Sequence, residues 1–220
     1  FGLPLDAEAP VKQGIQSITP EDLEFAASMG YRVKHLGIAR RQGDRVEMRV
    51  HPTLIPEEKQ LANVDGVLNA VMIKGDAVGE LVLVGPGAGG AATASAVCAD
   101  LADIARTAAG SGPALGVPIA QLKSQALVPA EDIESEWYVR LAASDCAGVM
   151  SDITQVLAHH DVSIESLLQN PPREDQTTVS IVLLTQVASA SVMTAVMQEI
   201  TALTEVEKEF TLLRVEAFDQ

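Results

Sequence analysis

WYVRLAASDCAGVMSDITQVLAHHDVSIESLL, residues Trp137 to Leu168, is the stretch from which the fold of the C-terminal part can be read. Trp137 to Ser144 alternates as a β-strand does, with every second side chain on one face. Val149, Ile153, Val156 and Leu157 then recur at i, i+4, i+7 and i+8, which is one face of a helix. Val162 to Leu168 returns to strand character. Farther along, Thr178 to Leu184 reads as a strand and Val192, Val196, Ile200 and Leu203 as a second amphipathic helix. Val206 to Val215 closes the pattern as a last strand. The order βαββαβ is the ferredoxin-like unit, and the fold class is α+β.

Toward the N-terminus, residues 111–135 carry the breakers Gly112, Pro113, Pro118 and Pro129 without a period and read as a linker. Before it lies LVLVGPGAGGAATASAVCADLAD, Leu81 to Asp103. It predicts a buried strand, a glycine-dense loop and a helix of small residues, an arrangement that can face an anion. Gly85-Pro86-Gly87-Ala88-Gly89-Gly90 satisfies G-x-G-x-x-G. A dinucleotide fingerprint, however, is followed by a second strand ending in an acidic residue about 20 positions on. Asp100 and Asp103 fall inside the helix instead, and Gly110-Ser111-Gly112-Pro113 then breaks the chain. Two readings stay open: a cofactor loop of another design, or a close-packed strand-to-helix turn.

Upstream, Thr19-Pro20-Glu21-Asp22 is a helix start, with Thr19 as N-cap and Gly30 as the stop. Tyr31 to Arg41 and Arg45 to His51 form one expected hairpin, after which Pro52 and Pro56 mark a loop. Val67 to Ile73 and Val78 to Val84 form another. These elements make part of a mixed-sheet domain with helices, not a whole one.

The net charge of −15 argues against nucleic acid and anionic membrane surfaces, both of which need a basic face. No apolar run approaches the roughly 18 residues of a membrane span. With 47% hydrophobic but only 3% aromatic residues, aliphatic and alanine packing must fill the core. Cys98 and Cys146 give neither a disulfide framework nor a zinc spacing, so the cytosol is the expected compartment. The start FGLPLDAEAP has no initiator Met and no leader pattern, and reads as the middle of a longer protein.

Several motifs resemble known families. Tyr138-Val-Arg-Leu, Asp145-Cys-Ala-Gly148-Val149-Met150 and Val162-Ser-Ile-Glu-Ser166 resemble an ACT domain, a small-molecule regulatory module with the pattern D-x-P-G-V-L. Ala147 stands in the proline place. Five earlier stretches resemble homoserine dehydrogenase. They are Gly14-Ile15-x-x-Ile18-Thr19-x-Glu21-Asp22, Val50-His51-Pro52-Thr53-Leu54-Ile55-Pro56, Val64-x-Gly66-x-x-Asn69-Ala70-Val71, Gly75-Asp76-Ala77-Val78-Gly79-Glu80 and Gly85-x-Gly87-Ala88-Gly89-Gly90-x-x-Thr93-Ala94-Ser95. One departure is Lys59-Gln60, where the family often has His-Pro before Leu61-Ala62.

The resemblance implies a partial catalytic α/β domain over 1–110, a linker over 111–135 and an ACT domain over 136–220. It implies oxidation of L-homoserine to aspartate semialdehyde, or the reverse, with NADP or NAD. The family's Rossmann fingerprint, catalytic lysine and substrate-binding acids would precede Phe1, so no catalytic residue is assigned here. Gly89, with Gly87 and Gly90, is the expected cofactor contact. Asp145, Gly148 and Gln169 are expected to bind an amino-acid effector, threonine first. The loop backbone would take its carboxylate, while Asp145 stands between pairing with the ammonium and N-capping the helix, the capping role being favoured. A homodimer through the ACT sheet is expected, with neither nucleic acid nor membrane as partner. A competing function class is a stand-alone amino-acid-binding module.

Single residues add less. His51 reads as a structural histidine bonded to loop backbone. His159 and His160, adjacent on a helix, point about 100° apart, which argues against a shared metal.

Overall fold

The structure, a computed structural model, describes residues 10–106, 121–170 and 178–218. In chain order the elements are β1 (Val11–Lys12), α1 (Pro20–Ser28), β2 (Tyr31–Gln42), β3 (Arg45–Pro56), β4 (Leu68–Gly75), β5 (Gly79–Pro86), α2 (Gly90–Arg106), β6 (Ala126–Leu127), β7 (Glu134–Ser144), α3 (Val149–His159), β8 (Ile164–Gln169), β9 (Thr178–Ser189), α4 (Ala190–Ile200) and β10 (Val206–Val215). By their contacts they fall into two compact units. One holds the described residues of 57–125, and the other those of 7–56 and 126–220.

The larger unit contains the expected βαββαβ order, β7-α3-β8-β9-α4-β10, with its four strands side by side as β10-β7-β9-β8. Alternation along the strands sorts the side chains. Trp137, Val139, Leu141 and Ala143 on β7 and Val179, Ile181 and Leu183 on β9 pack with Ile153, Leu157, Met193, Val196 and Ile200 of α3 and α4. Tyr138, Val182, Leu184, Leu213 and Val215 point the other way, where Phe25 and Ala26 of α1 cover them. The sheet is therefore buried on both faces. Each Leu or Ile so buried contributes roughly 1.5–3 kcal/mol relative to an exposed one.

The sheet continues past this unit's own four strands. β3 pairs in parallel with β10 at Thr53 and Leu54, and antiparallel with β2 along its whole length. Residues 126–135, expected as linker, contribute β6, a single 3-10 turn at Ala130–Asp132 and the first residues of β7. Residues 111–120 of that expected linker lie outside the described residues.

The expected loop at Pro52 is instead the interior of β3. The carbonyls of Val46, Val50 and Leu54 accept from Val128, Gln13 and Glu216, so the even positions of β3 face β6, β1 and β10. Pro52 faces the same way, at the gap where β1 has ended and β10 has not begun. A missing N–H costs no ladder bond there.

The helix starts follow local rules. Thr19 and Asp22 form the capping box of α1, with Pro20 in the first turn and Gly30 at φ +81 just beyond the end. The smaller unit consists of the β4–β5 hairpin, a 3-10 turn at Gln60–Asn63 and α2. No α2 residue is buried, and Ile104 is 71% and Leu83 of β5 64% exposed. A lone two-stranded hairpin is marginal in water, so this unit calls for a partner surface.

Candidate functional site

The glycine loop between β5 and α2 divides into structural and open parts. The Gly87 N–H donates to Val67 (2.8 Å), and a Cβ on Gly87 would sit 1.6 Å from the Asn69 side chain. Gly87 thus serves the close-packed turn. Gly89 holds φ +111, which other residues rarely adopt, and its carbonyl accepts the first helical bond, from Thr93 at 3.0 Å. Gly90 opens α2, and nothing lies within 4 Å of the place its Cβ would take. The first N–H groups of α2 have no helical acceptor. The backbone at Gly89 and Gly90 is therefore open enough for an anion such as a phosphate to approach.

Asp145, Gly148 and Gln169 lie at one end of the ferredoxin-like sheet, because β7 and β8 both run antiparallel to β9. Strands β7 and β8 lie two spacings apart, about 10 Å, and Ser144 pairs with Thr178 whereas Gln169 pairs with Ile181, three residues along β9. Asp145, Gly148 and Gln169 are all exposed. The N-cap role expected of Asp145 is not observed. Gly148 occupies the N-cap of α3 at φ 106, ψ −33, and no side chain caps the helix. The turn from β7 brings the chain into α3 through a conformation only glycine tolerates, which removes Asp145 from capping distance. The uncapped N–H groups are left to solvent or to an anion. Asp145→Ala is expected to change unfolding free energy by less than about 0.5 kcal/mol, whereas Gly148→Ala should cost about 1–3 kcal/mol through backbone strain. Urea unfolding of the two variants checks the contrast.

Sequence reasoning missed an open cavity of about 740 Å³ on the α1 face of the sheet. Glu21, Glu24 and Glu165 bring carboxylates to it, and Phe25, Leu168 and Leu184 supply apolar wall. Leu168 lines it, so strand alternation puts Gln169 on the opposite face. The arrangement suits a small cationic or ammonium-bearing molecule. Its walls come from two stretches, Glu21 to Tyr31 and Glu165 to Leu184, that are far apart in sequence, and no local motif announces it.

Beside this cavity a polar network ties α1 to the sheet. Arg140 donates from Nε to Asp22 Oδ1 (2.6 Å) and from Nη2 to Oδ2 (3.1 Å), and the Tyr138 hydroxyl donates to Asp22 Oδ1 (3.1 Å). Thr19 and Thr211 hydroxyls also reach Oδ2, at 2.8 and 3.2 Å. Burial alone would raise the Asp22 pKa, but the bonds from Arg140 and Thr19 hold it below 3.8. Burial and the Asp22 carboxylate push the Tyr138 hydroxyl well up. Every group here is satisfied, and the network reads as an anchor.

A second buried polar group lies on β3, where Glu47, Arg49, His51 and Thr53 share one face. Arg49 donates to Glu216 Oε2 (2.8 Å) and Ser135 Oγ (3.2 Å), and its Nε lies 2.6 Å from Glu47 Oε1, off the hydrogen-bond direction. Arg40 pairs with the other oxygen of Glu216. Arg214 bonds Ser135 Oγ (3.1 Å) and lies over the Trp137 ring at 4.2 Å. Burial and neighbouring Arg49 lower its pKa to about 10. His51 is indeed bonded to backbone, Nδ1 to the Pro52 carbonyl at 3.0 Å, but within a strand. A carbonyl only accepts, so Nδ1 carries the proton and Nε2 is a bare acceptor, buried without a partner. Burial first, then Arg49 and Arg214, lower the His51 pKa to about 4.

Comparison with known proteins agrees with this architecture. Residues 1–102 match the family model described as homoserine dehydrogenase. Homoserine dehydrogenase from Neisseria gonorrhoeae is 43% identical over 99% of this chain and 51% of its own length, and that from Bacillus subtilis 33% identical over 98% and 50%. The crystal structure of a homoserine dehydrogenase from Thiobacillus denitrificans is 41% identical over 99% of this chain and 50% of that one, with a TM-score of 0.86. The chain thus spans about half the length of the relatives it matches. Similarity in sequence and fold runs through both compact units, and what the chain resembles is about one half of a homoserine dehydrogenase.

Proposed function

We propose that this chain is the C-terminal half of an NAD(P)-dependent homoserine dehydrogenase. The whole protein would interconvert L-homoserine and L-aspartate 4-semialdehyde in amino-acid biosynthesis in the cytoplasm. The observation that carries the reading is the 43% identity along 99% of the chain to a relative of which it covers only 51%. The unburied α2 and the apolar hairpin of the smaller unit support it, since they need a covering surface that the relatives' other half can supply. Among the described residues, no helix is long and apolar enough to cross a membrane. NAD(P), when bound, supplies the hydride chemistry, and Gly89 and Gly90 would leave the α2 N-terminus open to its phosphates.

The ferredoxin-like unit would be the regulatory ACT module, binding threonine at the Asp145–Gly148 loop with Gln169 at the same end of the sheet. The uncapped N–H groups of α3 support a carboxylate there. β8 pairs only with β9 among the described strands, and Leu167 on it is exposed. Joining two copies along β8 would cover that edge, and light scattering should give a dimer mass.

The test is NADPH oxidation with aspartate semialdehyde. The whole protein, this chain preceded by its missing half, should turn over. The 220-residue polypeptide alone should not exceed background, because it brings no assigned group to handle the proton at the reacting oxygen. Millimolar threonine should inhibit the whole protein, and Gly148→Ala should blunt that inhibition with kcat unchanged. Turnover by the polypeptide alone sinks the half-enzyme reading. Indifference to threonine sinks the effector.

A further inference from the structure

Three potential metal ligands converge where α3 meets α4. His159 is the last residue of α3, His160 is its C-cap, and Glu199 stands on α4. Their ligand atoms all lie within 4.8 Å of one another. Glu199 Oε2 is 2.9 Å from His160 Nε2, and Glu199 Oε1 is 3.8 Å from His159 Nδ1. The two rings are tilted by 51° with centroids 5.5 Å apart. The 100° separation expected of helical neighbours does not keep them apart. The helix ends here, the backbone turns away at Asp161 with φ 58, and Glu199 reaches both rings from outside the helix.

We propose that His159, His160 and Glu199 form a site for a borderline transition-metal dication of the Zn²⁺, Co²⁺ or Ni²⁺ type, which clamps α3 to α4. Two imidazoles and a carboxylate are the donor set such ions select, while Mg²⁺ and Ca²⁺ take oxygen ligands. Around a tetrahedral ion with bonds of about 2.0–2.1 Å, ligand atoms sit roughly 3.3 Å apart. The distances of 2.9 and 3.8 Å bracket that value. His159 is 78% and Glu199 45% exposed at the side chain, so small rotations can close the longer gaps without disturbing the core. The C-terminal end of α3 adds the negative end of a helix dipole, and the net charge of −15 favours cations generally. Three protein ligands leave a position for water, and no chemistry at the ion is implied.

The experiment uses the tag-free 220-residue chain carrying Cys98→Ser and Cys146→Ser, because both thiols are free and exposed and thiolates are zinc ligands. Calorimetric titration with ZnCl₂ should show one saturable site per chain, and CoCl₂ should give a visible absorption band from nitrogen and oxygen ligation. Losing a mere supporting group costs metal sites tenfold or more, so His160→Gln and Glu199→Gln should each weaken binding by at least about tenfold. His35→Gln should leave it unchanged. Zinc should raise the thermal midpoint of the parent and not of His160→Gln. Circular dichroism identifies any variant that fails to fold, and Glu199→Gln, at an exposed position, then carries the test. Absence of saturable binding at millimolar zinc, or equal affinity in a folded Glu199→Gln variant, overturns the proposal.

Discussion

Replacing Asp22 by alanine is expected to destabilise the larger unit by about 3–5 kcal/mol, the cost of removing one partner from a buried ion pair. The carboxylate is fully buried and accepts from Arg140, Tyr138, Thr19 and Thr211 at once. Without it, Tyr138 loses its hydroxyl acceptor, Arg140 keeps a charge with only Glu21 nearby at 3.5 Å, and α1 loses its capping box. Urea midpoints give the measurement, and a loss below about 1 kcal/mol would mean that solvent or Glu21 replaces the carboxylate. Converting both partners, Asp22→Leu with Arg140→Met, should recover part of the loss, since no lone charge then remains. The same bonds set an acid limit. The folded pKa of Asp22 lies below 3.8, so its contribution is complete above that pH and disappears as pH falls through the lower folded value.

His51 should act in a higher pH window and in the same direction. Its folded pKa is depressed from 6.5 to about 4, so the folded state binds fewer protons than the unfolded chain between those values. Stability is then complete above pH 6.5 and falls with acidification, by about 3 kcal/mol at pH 4. The cause is physical crowding. A proton on Nε2 would sit buried with no acceptor, and its charge would face Arg49 and Arg214. His51→Met, which cannot titrate, should flatten the unfolding free energy between pH 6.5 and 4.5 relative to the parent. Parallel pH profiles for the two proteins would show that His51 does not carry the dependence.

Neither of these residues showed its main role in the sequence. Asp22 was legible only as an acid in the first turn of α1, a local reading. Its partners Tyr138 and Arg140 are 116 and 118 positions away, and only the packing of α1 on the sheet joins them. His51 was legible as a backbone-bonded histidine, but β3 continues through Pro52. Whether a proline interrupts a strand depends on whether its missing N–H would have met a neighbour, and Pro52 falls in the gap between β1 and β10, which comes from the other end of the chain.

The sequence by itself determined the elements of the ferredoxin-like unit, both hairpins, the start of α1 and the family resemblance. Strand and helix periods are local, and homologous motifs are read letter by letter. Only the tertiary structure decided that β3 joins β10 in one sheet and that Gly148 rather than Asp145 begins α3. It alone decided that three glutamates line one cavity and that His159 and His160 meet through Glu199. Each of these is a long-range juxtaposition or a backbone conformation fixed by packing. Periodicity reports which face of an element is buried, but not which distant side chain will be waiting there.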